Sequence, residues 1–142
     1  MDDRRTRDTV LTTIEKIFLL QDIEFLSQAS ADHLALLADL FEEKTIPAGR
    51  YLFRAGTPGS TFYLLLEGRV QLERGGVAGE VLERGPVNLW ACLSGRPGTV
   101  AAKCVTECRL LVMPSEDLID SLTTEPGLSL AILKYHAQAH GV

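Results

Sequence analysis

The sequence predicts a mainly β protein: an antiparallel β-barrel or jelly roll (a double-stranded β-helix) with an N-terminal helical bundle and C-terminal helices. Three observations carry this. Up to about residue 43 the apolar residues recur at helical spacing. From Ile46 the period shortens, and glycine-bearing turns separate short apolar strands at intervals of about ten residues, the rhythm of a sandwich or barrel. At Pro114 a helix-start signal appears and the helical pattern returns.

Residues 9–20 carry Val10, Ile14, Ile17 and Phe18 at helical spacing, with Glu15 and Lys16 facing out. A break at Gln21-Asp22 precedes a short apolar plug, Phe25-Leu26. Ser30 reads as the N-cap of a second helix over about 31–42, with Leu34, Leu37, Ala38 and Phe41 on one face. Strands and turns then alternate: Ile46, the Pro47-Ala48-Gly49 turn, 51–53, the turn 56–59, 62–66, Gly68, and Val70 with Leu72. Residues 74–79 read as a flexible hairpin loop before Glu80-Val81-Leu82. The pattern is interrupted over 85–98 and resumes at 99–104 and 109–113, giving six to eight strands. Pro114-Ser115-Glu116-Asp117 starts a helix, with acidic residues at the positive end of its dipole. Helices of about 115–123 and 127–139 close the chain. Residues 1–142 thus read as one domain: a lead-in of about 9–43, a β-barrel of about 44–113 and C-terminal helices of about 115–139.

Composition removes several functions. A net charge of −5, with Arg4, Arg5 and Arg7 offset by Asp2, Asp3 and Asp8, argues against a nucleic-acid-binding face. No apolar run approaches the roughly 18 residues of a membrane span, and no apolar signal region opens the chain. Cys92, Cys104 and Cys108 form an odd, unpatterned set, so a reducing cytoplasm is expected. No serine sits in a nucleophile elbow and no helix carries His-Glu-x-x-His, so no catalytic residue is assigned and no enzyme is expected. The loop 74–79 lacks the Lys-Ser/Thr that a phosphate loop needs. His136 and His140 stand four apart with no third ligand, so no metal and no cofactor is expected. Cys104 and Cys108 flank a Val-Thr-Glu turn and read as small buried fillers.

The stretch from Pro47 to Val70, with Gly49, Gly56 and Gly68 at barrel corners, closely resembles the cyclic nucleotide-binding domain family. That family includes catabolite-activator-type regulators, kinase regulatory subunits and gated channels. The three glycines reverse the chain where a Cβ would clash. Phe18 to Phe41 resembles the family's helical lead-in, and 105–111 its hairpin before the C-terminal helices, so the likeness covers roughly 14–139. The other jelly roll to weigh, a cupin, would offer clustered barrel histidines, whereas His33, His136 and His140 lie outside the strands.

The resemblance implies a small-molecule ligand in a cassette between two strands. There a Gly-Glu opens a short helix whose Glu takes the ribose hydroxyl, and an Arg about nine residues on pairs with the cyclic phosphate. Aligned on Pro97, Asn88 stands at the glycine, Leu89 at the glutamate and Gly98 at the arginine. The degenerate cassette comprises Asn88, Leu89, Trp90, Ala91, Arg96, Gly98 and Thr99, with Arg96 the candidate to replace the lost guanidinium. Trp90, if packed inward, fills the ribose space; otherwise it is an ordinary core residue.

The resemblance therefore implies a regulatory ligand-sensing or interaction module that does not bind cAMP or cGMP in the usual way. A receptor using substitute contacts, and a ligand-free dimerisation or scaffold domain of a larger transporter or signalling protein, are the alternatives. The last helix carries two apolar stripes. One, with Leu128, Ala131, Ile132, Tyr135 and Ala139, suffices to pack it. The second, Leu130, Leu133 and Ala137, is expected to meet another subunit or domain. No winged helix-turn-helix follows it in this sequence, so direct nucleic-acid contact is not expected, nor is a membrane span.

Overall fold

Hydrogen-bonding side chains start both N-terminal helices. In the computed structural model, which describes residues 11–140, Thr12 and Glu15 form a reciprocal capping box before α1 (Thr13–Gln21). Ser30 Oγ accepts from His33 N at 3.2 Å before α2 (Ala31–Leu40), as its position predicts. A 3-10 turn at Glu24–Leu26 buries Phe25 and Leu26. Val10, which belongs to the predicted first helix, lies outside the described residues. α2 buries the expected face of Leu34, Leu37 and Ala38, and Phe41 follows them inward as the backbone turns extended.

The stripe predicted for α1 is corrected. Ile14 and Phe18 are 67% and 64% exposed, and the buried residue is Leu20. Periodicity identifies the helix, but its partner, α2, meets the other side.

The described residues separate into a helical unit, 11–42 with 116–140, and a β unit, Glu43–Ser115. The helical unit also holds α4 (Ser115–Thr124, from its second residue) and α5 (Pro126–His140). α5 packs on the 3-10 turn, and Tyr135 Oη donates to Glu24 Oε2 at 3.4 Å. Gly127 passes so close to His33 that a Cβ there would stand 2.8 Å from the imidazole. Of the two stripes on α5, Leu128, Ala131 and Ile132 are buried, while Leu130, Leu133 and Ala137 are exposed.

Eight strands form the β unit: β1 (Glu42–Ile46), β2 (Tyr51–Phe53), β3 (Thr61–Glu67), β4 (Val70–Arg74), β5 (Val77–Leu82), β6 (Gly85–Pro86), β7 (Val100–Cys104) and β8 (Cys108–Pro114). They make two four-stranded antiparallel sheets, β1-β8-β3-β6 and β2-β7-β4-β5, the predicted jelly roll. β3 and β8 pair Phe62 with Met113, Leu64 with Leu111 and Leu65 with Leu110, all at most 1% exposed. Leu65, Leu110 and Val112 from one sheet meet Val70, Ala102 and Cys104 from the other, so the core lies between the sheets. Burying each such aliphatic side chain stabilises the fold by about 1.5–3 kcal/mol.

The predicted turn glycines Gly49, Gly56 and Gly68 all have positive φ. Two sequence expectations change. The loop 74–79 is a two-residue hairpin, with Arg74 opposite Val77 and Gly75-Gly76 at φ +61° and +79°, the twist that suits flanking strands. The interruption at 85–98 contains β6, which pairs Gly85 with Leu65 and Pro86 with Leu64. At two residues, β6 is too short to show a period.

All three thiols are buried. Burial pushes Cys92 up to about 11 and Cys104, also facing Cys108, up to about 12, so they stay neutral fillers near pH 7. Arg109 on β8 pairs with Glu43 on β1, whose side chain is 2% exposed. That pair ties the edge strand β1 to its neighbour β8.

Candidate functional site

A cavity of about 730 Å³ opens in the β unit, well within the roughly 300–1,000 Å³ of small-molecule pockets. Its walls come from β2, the start of β3, β4 and the corner from Val87 to Val100. Strand alternation explains why β4 contributes. Val70 points into the core and Leu72 packs against it, so Arg74 leaves the strand on the same face. Leu52, Phe53, Leu72 and Val87 give the cavity an apolar body.

The corner is held by Asn88, which precedes the short helix α3 (Leu89–Ser94). Its side-chain Oδ1 accepts from Tyr63 N at 3.1 Å, and its Nδ2 donates to Thr61 O at 2.8 Å. Both functions of a nearly buried amide are spent on β3. Beside it, Gly59 lets the preceding turn touch α3: a Cβ there would stand 2.9 Å from Ala91 C and Cys92 N. α3 ends at Gly95, in the left-handed region at φ +67°.

All seven cassette residues line this one cavity. Their chemistry differs from their placement. Leu89 is 8% exposed and brings an aliphatic chain to the resemblance's acid position, where it accepts no hydrogen bond. At the arginine position, Gly98 donates its N–H to Thr57 O at 3.4 Å and accepts from Gly56 N at 2.8 Å. A Cβ on Gly98 would meet only ordinary contacts, 3.9 Å from Ala91 Cβ and 4.0 Å from Val100 N. A Cβ is accommodated there, and none is present. Trp90 is 53% exposed on the cavity wall, so it is neither a core residue nor a plug. A six-residue helix lying on a strand turns only one side inward, and Leu89 and Cys92 take it.

Positive charge reaches the cavity from elsewhere. Arg54, Arg74 and Arg96 line it, and among the described residues no Asp or Glu does. Arg74 Nη1 donates to Thr99 Oγ1 at 2.8 Å. The Arg54 guanidinium lies 4.0 Å from the centre of the Tyr51 ring. Tyr51 donates in turn to Glu73 at 2.9 Å, and that bond, ahead of burial, raises its hydroxyl above the usual range. Tyr63, raised by burial, donates to Leu52 O at 3.1 Å and remains neutral in the wall. Arg54 and Arg74 were not singled out from the sequence. The alternation Val70, Leu72, Arg74 was the available signal for the second.

The two-sheet roll holds a cavity of small-molecule size, and comparison with known proteins gives the family. Residues 43–125 match the model of the cyclic nucleotide-binding domain, more than half of the chain, and the chain belongs to that family. A Rhodopseudomonas palustris protein named as a potassium channel is 27% identical over 114 residues, 78% of this chain. The match spans 28% of that protein's length. The regulatory domain of Toxoplasma gondii protein kinase A, crystallised with cAMP, superposes with a TM-score of 0.75 over 96% of this chain and 52% of its own, at 17% identity. The regulatory subunit of a cAMP-independent protein kinase A from Trypanosoma brucei gives 0.74 over 89% and 47%, at 22% identity. Both show the same fold.

Proposed function

We propose that this chain is a regulatory ligand-sensing module whose pocket does not take cAMP or cGMP in the usual way. What supports this is that Leu89 and Gly98 line the cavity where the resemblance implies the ribose acceptor and the phosphate-pairing arginine. Losing a charge-paired arginine costs binding about 2–5 kcal/mol, and losing the acceptor roughly 1–3 more. Together these correspond to about 10² to 10⁵ in affinity. One neighbour was crystallised with cAMP and another is described as cAMP-independent, so the shared fold leaves the ligand to the pocket residues. The whole chain works as one non-enzymatic domain in the cytoplasm. In a thermal-shift titration, cAMP and cGMP up to about 100 μM leave the melting temperature unchanged, because only binding to the native state raises it. A rise that saturates at low micromolar nucleotide would support the second reading, in which Arg96, already on the cavity wall, replaces the lost guanidinium.

The exposed stripe on α5 supports a further part of this reading. Leu130 and Leu133 are 51% and 59% exposed, with Ala137 beside them. We infer self-association through these residues. Sedimentation is expected to show a dimer that Leu130→Glu with Leu133→Glu converts to monomer. A monomeric wild-type chain would remove this part and leave the pocket reading intact.

A further inference from the structure

We propose that the pocket binds an organic oxyanion with a flat apolar body, and that Arg74 on β4 holds the charged group. The inference rests on the reading of the chain as a ligand-sensing module and names the ligand class. Three arginines and, among the described residues, no Asp or Glu line the cavity in a chain whose net charge is −5. Such a local excess favours anions against the field of the whole molecule. Leu52, Phe53, Leu72 and Trp90, beside hydroxyls such as Thr57 and Thr99, offer a flat body more contact than a hydrated ion would use.

The three cations are not equivalent. Arg54 is drawn onto the Tyr51 ring. Arg96 stands in the loop after α3, where its backbone N–H bonds to Ser94 Oγ at 3.2 Å. Arg74 leaves the end of a paired strand, held by five registered partners along β7, and its Nη1 is bonded to Thr99 Oγ1. One nitrogen is therefore anchored while the planar fork keeps four more N–H donors. Arg74 is exposed, and strand and hydroxyl together restrain its guanidinium before a ligand arrives, so less freedom is lost on binding. The cation thus comes from β4, beside the corner where Gly98 has no side chain, with Val100 opposite it in register and Thr99 as its hydrogen-bond partner.

Trp90 is the single tryptophan and lines the cavity, so its fluorescence reports occupancy. The probes are 8-anilinonaphthalene-1-sulfonate and N-phenyl-1-naphthylamine, which share a ring system and differ in the anionic group. Energy transfer from Trp90 is expected with both, with the sulfonate bound at least tenfold tighter. Arg74→Gln removes that preference, leaving the neutral probe's affinity and the melting temperature unchanged. Arg54→Gln and Arg96→Gln each weaken the sulfonate by less than about threefold. Equal binding of the two probes, unaffected by Arg74→Gln, would overturn the oxyanion assignment and leave a ligand pocket standing. A preference lost in Arg96→Gln but kept in Arg74→Gln would overturn the assignment to Arg74. No Trp90 response to either probe would overturn the ligand-sensing reading as well.

Discussion

Gly68 and Gly98 sit in two corners of the same roll, and the surroundings of the two residues differ. Gly68 has φ +108°, and a Cβ there would lie 2.6 Å from Glu107 O and 2.8 Å from Cys108 Sγ. Gly98 has no left-handed φ, and a Cβ there would make only ordinary contacts, 3.9 Å from Ala91 Cβ and 4.0 Å from Val100 N. The first glycine belongs to the turn-strand-turn stretch that the family shares, and packing demands it. The second stands where the resemblance leads one to expect a phosphate-pairing arginine, and a Cβ there would meet no close contact. Scaffold positions are constrained by backbone geometry and contact, whereas ligand chemistry can leave a pocket without disturbing its walls. At the cassette corner Asn88 bonds to β3 and Leu89 is buried, so the corner is held with no carboxylate at residue 89 and no guanidinium at residue 98.

The comparison can be broken at three positions. Gly68→Ala should destabilise most, by roughly 2–5 kcal/mol, from backbone strain plus overpacking against Glu107 and Cys108. Denaturant unfolding measures it, and a loss below about 1 kcal/mol would mean the turn relaxes freely. Asn88→Ala should cost about 1–3 kcal/mol, because it strips partners from Tyr63 N and Thr61 O at a nearly buried site. A near-neutral result would show that the corner is not held by this amide. Gly98→Ala should do least, within about 1 kcal/mol of wild type and on the stabilising side, since it restricts the unfolded chain without a clash. A large destabilisation there would erase the contrast with Gly68.

Much of the scaffold was legible in the sequence because each element announces itself locally. Ser30 caps, three glycines mark corners, and the buried runs of β3 and β8 supply long apolar strands. What was not legible depends on partners. Ile14 and Phe18 have perfect helical spacing, yet α2 packs elsewhere on α1. Trp90 reads as core from its hydrophobicity, but α3 turns only Leu89 and Cys92 inward. β6 exists because β3 offers it a register, not because two residues have a pattern. At the site, the cassette residues named from the sequence line one cavity, and the reading of Leu89 and Gly98 as replacements for a glutamate and an arginine rests on the resemblance. Arg74 was hidden because a charged residue at a strand end beside Gly-Gly reads as solvent-facing, although its parity with Val70 and Leu72 points it into the cavity.

The central claim is that this roll keeps the nucleotide pocket's shape and lacks its two charged groups, and calorimetric titration with cAMP tests it most directly. The wild-type chain should give no saturable heat up to about 100 μM, while Leu89→Glu with Gly98→Arg should gain affinity on the order of 10² or more. Saturable low-micromolar binding by the wild-type chain, unchanged by the double substitution, would contradict the claim.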